Sequence, residues 1–77
     1  MESKKMNELN LQTTLRLLFR KEISIESMRE DLYHGILVYV GNPEDIRKKY
    51  ITIDDILLGK CRVKFLEIHR LWKNNKL

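Results

Sequence analysis

The sequence predicts a small all-α domain of four helices, one of them short. Three observations carry that prediction. Apolar residues recur at helical spacings of three and four in separate stretches of the chain. Residues suited to capping helix N-termini stand in front of those stretches. Gly and Pro punctuate only the middle, at Gly35, Gly41, Pro43 and Gly59. Seventy-seven residues leave room for a single domain. Hydrophobic residues make up 43% and charged residues 34%, so the chain reads as globular, not disordered and not membrane-spanning. Residues 1–5 are expected to be disordered, and residues 6–77 to form the helical domain.

The first helix is expected from about Met6 to Lys21. Leu11, Leu15, Leu18 and Phe19 share one face, with Arg16 and Arg20 off it. Ser24 is placed to cap the second helix, with Ser27 and Glu30 as a rival capping pair one turn later. Glu26, Glu30 and Asp31 populate the early turns, where acids complement the helix dipole. The stripe Ile25, Met28, Leu32, Ile36 and Tyr39 then runs to Gly41, a natural C-cap, and Pro43 blocks continuation. Ile36-Leu37-Val38-Tyr39-Val40 is also rich in β-branched and aromatic residues and follows Gly35, which is a strand signature. Its candidate partner is Tyr50 to Ile53, and in that case the fold becomes α+β. The unbroken period through Gly35 favours the helix.

Asn42-Pro43-Glu44-Asp45 reads as a cap, a first-position proline and two acids, opening a short helix to about Lys49. Thr52 and Asp55 form a capping pair for the last helix, from about Ile53 to Asn74, with a possible kink at Gly59. Leu57, Cys61, Phe65, Ile68 and Trp72 give it a core stripe at steps of four, four, three and four. Phe65 and Trp72 are therefore expected in the core, and Cys61 as a small buried hydrophobe.

Catalytic and metal chemistry find little support. A single cysteine, Cys61, excludes an internal disulfide. With no such staple, a reducing, cytoplasmic setting is expected. The charged start Met1-Glu2-Ser3-Lys4-Lys5 does not read as a signal peptide, and the longest apolar run, Ile36 to Val40, is far too short to span a bilayer. His34 and His69 have no cysteine or carboxylate at ligand spacing, so no metal or cofactor is expected. The pairs Asp54-Asp55 and Glu44-Asp45 fall in first helical turns, where a dipole explains them. No phosphate loop and no nucleophile motif is present, and the chain is read as a non-enzyme.

Charge is the remaining signal. The net charge is +4, and residues 60–77 hold six basic side chains against one acid, Glu67. Such asymmetry suits a polyanion or an acidic surface as partner. On the last helix, Val63 and Leu66 share a face with Arg62, Arg70 and Lys73: an apolar centre with a cationic rim, as in protein interfaces. The leading expectation is a non-enzymatic regulator, an inhibitor or adaptor, that occludes or tethers a protein partner through that face. The alternative is a nucleic-acid-binding, helix-turn-helix-like transcriptional regulator, with Arg47, Lys48, Lys49, Arg62, Arg70 and Lys73 on phosphates. Against it, Asp54 and Asp55 would sit where a recognition helix meets DNA. Self-association is possible, since so small a core leaves little stability to spare. Membrane binding is not expected.

Overall fold

Alternation with a period of two runs through most of the chain, and the structure follows it. A computed structural model describes residues 8–73; the expected disorder of residues 1–5 and the charge at Lys76 lie outside them. The elements are α1 (Glu8–Leu17), β1 (Glu22–Ser27), β2 (Leu32–Val40), β3 (Tyr50–Asp55), β4 (Gly59–Lys64), a single 3₁₀ turn at Phe65–Glu67, and β5 (Ile68–Lys73). The five strands form one antiparallel sheet in the order β4-β3-β2-β1-β5.

The all-α, four-helix-bundle prediction is therefore overturned. Among the described residues only the first of the expected α-helices is present, and it ends at Leu17 rather than Lys21. The expected second helix is β1 and β2, and Ser24, expected as its cap, pairs instead with His34 across β1 and β2. The strand alternative at 36–40 is the one adopted: Leu37 pairs with Ile53, Tyr39 with Thr52 and Val40 with Ile51. The expected last helix is the end of β3, all of β4, the 3₁₀ turn and β5, so the helix-turn-helix outline goes with it.

The pattern explains why. Ile23 and Ile25 on β1, Leu37 on β2, Ile51 and Ile53 on β3 and Val63 on β4 are all buried, joined by Phe65 and by Leu11 and Leu15 of α1. Glu22, Ser24 and Glu26 alternate with the β1 isoleucines, and Lys60, Arg62 and Lys64 alternate with Cys61 and Val63. β-Branched residues at every second position fit a pleated, half-buried surface.

The sheet cannot be flat. β4 and β5 are its opposite edges, four strand spacings or about 19 Å apart in a planar sheet. Yet the chain passes from Lys64, paired with Tyr50, to Ile68, paired with Ser27, in four residues, a reach of at most about 14 Å. The sheet must curl until its edges approach, which encloses the aliphatic side chains. The crossing segment is anchored at each end: the Phe65 N–H donates to the Lys49 carbonyl beside β3 (3.1 Å), and the Met28 N–H donates to the Glu67 carbonyl beside β1 (2.8 Å). β2 pairs with β1 through residues 32–36 and with β3 through residues 35–40, with a register shift between Leu37 and Tyr39. Gly35 sits where both neighbours pair, and a Cβ there would run into the Asp54 carbonyl. α1 packs against β2 and the 3₁₀ turn, and Gln12 donates from Nε2 to the Gly41 carbonyl (2.9 Å).

Candidate functional site

The curl fixes which cations meet. On β3 the outward positions are Tyr50, Thr52 and Asp54; on β4 they are Lys60, Arg62 and Lys64. The loop 41–49, expected to be a short helix, instead runs in consecutive turns. The Asn42 carboxamide oxygen accepts from the Glu44 N–H (2.9 Å) and Asp45 Oδ1 from the Arg47 N–H (3.0 Å). The loop base is closed by Asn42 N–H to the Lys48 carbonyl and Gly41 N–H to the Tyr50 carbonyl. Asx turns of this kind satisfy the backbone locally and leave the outer side chains to face solvent.

Between this loop, the β3–β4 face and the 3₁₀ turn lies a cleft of ≈ 510 Å³, lined by Ile46, Arg47, Lys49, Tyr50, Arg62, Lys64, Leu66 and Glu67. Tyr50 is its aromatic wall. The Arg62 guanidinium lies 4.8 Å from the Tyr50 ring centroid, within cation–π range, and Tyr39 on β2 stands 5.3 Å away, tilted by 37°. Glu67 is the one acid in the lining, and it is engaged: Arg29 lies 3.7 Å from Oε2, and Oε1 accepts from the Lys64 N–H (3.4 Å). Four cations, one aromatic ring and two exposed aliphatic side chains thus converge on one concave surface.

The residues expected to bind a partner are redistributed. Val63 is 1% exposed and belongs to the core, so the apolar centre of the expected face is lost. Leu66 is 64% exposed, on the 3₁₀ turn at the cleft. Arg62 is on β4, whereas Arg70 and Lys73 are on β5, the opposite edge of the sheet. Arg70 is held by Glu26, with Nε donating to Oε1 at 2.8 Å, and lies 5.8 Å from the Trp72 ring. Of the cations in the nucleic-acid alternative, Arg47, Lys49 and Arg62 line the cleft, while Lys48, Arg70 and Lys73 do not. Trp72, expected in the core, is 41% exposed, Leu57 is exposed at the β3–β4 turn, and Cys61 is half-buried. Phe65 is buried as expected.

Two features escaped the sequence reading. Lys64 and Tyr50 are cross-strand partners and both line the cleft, and only the strand register brings them together. The second is a chain of three polar side chains on β1 and β2: Ser24 Oγ is 3.0 Å from His34 Nδ1, and His34 Nε2 is 3.0 Å from Glu22 Oε2. Serine, histidine and carboxylate in this order suggest an activated nucleophile. Ser24 is only 5% exposed, however, so its hydroxyl is not presented to an incoming electrophile. The chain of bonds acts as a clamp between β1 and β2. Among the described residues no group of three or more His, Cys, Asp or Glu could hold a metal ion, and no helix is long and apolar enough to cross a membrane.

Compared with protein-family models, curated proteins and solved structures, the chain matches none of them.

Proposed function

We propose that this protein is a non-catalytic binding domain for single-stranded nucleic acid, with the 510 Å³ cleft as its site. The observation that carries the reading is Tyr50 with Arg62 at its ring, set among Arg47, Lys49 and Lys64. Sequence-tolerant binders of single strands combine two elements: cations that track phosphates and an aromatic face on which a base stacks. Tyr50 and the aliphatic side chains of Ile46 and Leu66 suit a base, and the four cations suit the backbone on either side. A duplex keeps its base faces stacked inside the helix and cannot use an aromatic wall in this way. The reading keeps the polyanion partner suggested by the charge asymmetry, without a recognition helix.

Fluorescence anisotropy with a labelled single-stranded oligonucleotide tests it. If all four cations meet phosphates, log K should fall against log salt with a slope of about −3. Tyr50→Ala should weaken binding by about 5-fold or more through lost stacking, and Arg62→Glu by more than that, with a shallower slope. Absence of single-strand binding at low salt, or an Arg62→Glu variant with unchanged affinity, refutes the proposal.

A second reading retains a protein partner but moves it. Ile56, Leu57 and Leu58 are three consecutive exposed aliphatic residues at the β3–β4 turn, a composition unusual for a hairpin tip. Binding there would depend only weakly on salt, and Arg62→Glu would leave it unchanged.

A further inference from the structure

A second cleft, of ≈ 330 Å³, lies on the other side of the tyrosine pair, lined by Arg16, Phe19, Val38, Tyr39 and Val40. Its composition repeats that of the first: an aromatic ring with a cation against it. The Arg20 guanidinium lies 5.2 Å from the Phe19 ring centroid, and Arg16 is the cation of the lining itself. Phe19 follows α1, in the turn before β1, and remains 42% exposed although it is large and apolar. The turn that carries it is pinned to β2, with the Arg20 N–H donating to the Leu37 carbonyl (2.8 Å) and the Leu37 N–H to the Lys21 carbonyl (3.2 Å). Arg20 adopts φ of +70° in that connection, a left-handed conformation that an ordinary side chain disfavours. Val38, between Leu37 and Tyr39 where the register shifts, forms part of the floor.

The two clefts share a divide. Tyr50 lines the first, Tyr39 lines the second, and the two rings are 5.3 Å apart. From β4 toward α1 the order is Arg62, Tyr50, Tyr39, then Phe19 with Arg16 and Arg20. Three aromatic residues are consecutive in this order, with guanidinium groups at its two ends.

We infer that a bound single strand runs over the Tyr39–Tyr50 pair from the first cleft into the second, where Phe19 stacks a further base and Arg16 and Arg20 meet the adjoining phosphates. This extends the binding reading above and rests on it. The site then takes a single-stranded oligonucleotide longer than one cleft can hold, and affinity rises with length until both clefts are filled.

The experiment is a length series of oligouridylates, from about two to about ten nucleotides, titrated against the full chain, its Phe19→Ala and Phe19→Trp variants and Arg62→Glu. Thermal melts first confirm that each variant is folded, which the exposure of Phe19 favours. Phe19→Ala should leave the shortest oligomers unaffected and weaken the longest by about 5-fold or more, flattening the rise with length. Phe19→Trp should restore it. If Phe19→Ala matches the natural chain at every length while Arg62→Glu abolishes binding, the second cleft is not part of the track and the first-cleft reading stands alone. If Phe19→Ala weakens all lengths equally, the two-cleft division is wrong. If the natural chain binds no oligomer of any length, both readings fall.

Discussion

Replacing Asp55 by Asn should cost this domain much of its stability at neutral pH and little at acid pH. Asp55 is buried at the end of β3, yet carries a carboxylate. Its Oδ2 accepts from the His34 N–H at 3.0 Å, and its Oδ1 accepts from the Leu57 and Leu58 N–H groups at 2.8 and 2.9 Å. These backbone bonds hold its pKa below the ordinary 3.8; they outweigh burial, which acts the other way, and the positive character of His34 adds slightly to them. One carboxylate therefore organises both the β3–β4 turn and the join of β3 to β2. An asparagine oxygen can keep the two turn bonds as weaker neutral ones, but its amide then faces the His34 N–H, donor against donor. Losing one charge-assisted bond and weakening two amounts to about 2–4 kcal/mol, which lowers the melting temperature of a domain this size by about 12–25 °C. The pH dependence follows from the direction of the shift. A depressed carboxylate binds its proton more weakly folded than unfolded, so its contribution is fully present above the unfolded value and is lost as pH falls through 3.8 to the lower folded value. Urea titrations of the natural chain and Asp55→Asn at about pH 7 and about pH 2 measure this, since all other carboxylates are common to both proteins. An equal gap at both pH values, or no gap at neutral pH, would refute the reasoning.

Two further outcomes test the packing. Gly35→Ala should destabilise by about 1–3 kcal/mol or more, because the new Cβ meets the Asp54 backbone rather than a yielding side chain; a chemical-denaturation midpoint close to that of the natural chain would mean that β2 and β3 are less closely apposed. Val63→Ala should cost about 2 kcal/mol from the two lost methyl groups, whereas Leu66→Glu should melt within about 0.5 kcal/mol of the natural chain, because Val63 is buried and Leu66 faces solvent. The reverse order would restore the helical arrangement in which both share one face.

The last quarter of the chain shows why the helical reading failed. Leu57, Cys61 and Phe65 are four apart, and a step of four returns to nearly the same face of a helix but also to the same face of a strand. The residues between decide. Val63 alternates with Lys60, Arg62 and Lys64, a strict period of two that a helix would scatter around its axis. The β1 segment has the same signature in Ile23 and Ile25 between Glu22, Ser24 and Glu26. Serine and acidic residues there resemble a helix cap, because the same side chains also fill the polar positions of a strand, where Ser24 hydrogen-bonds His34 across β1 and β2. The strand alternative is legible at 36–40, rich in β-branched and aromatic residues, and at its candidate partner Tyr50 to Ile53.

By itself the sequence determined that the first segment is an amphipathic helix burying Leu11 and Leu15, that Phe65 is core, and that positive charge is concentrated in residues 60–77. Those are properties of composition and of local periodicity. Tertiary structure decided which cations line one cleft. Arg47 and Lys49 come from a loop, Arg62 and Lys64 from β4 and Tyr50 from β3, and their meeting depends on strand register and on the curl imposed by the four-residue passage from β4 to β5. Register shifted by one residue would turn Arg62 inward and Val63 outward. The choice between these registers belongs to the burial of the whole aliphatic set, a non-local quantity that no window of the sequence contains.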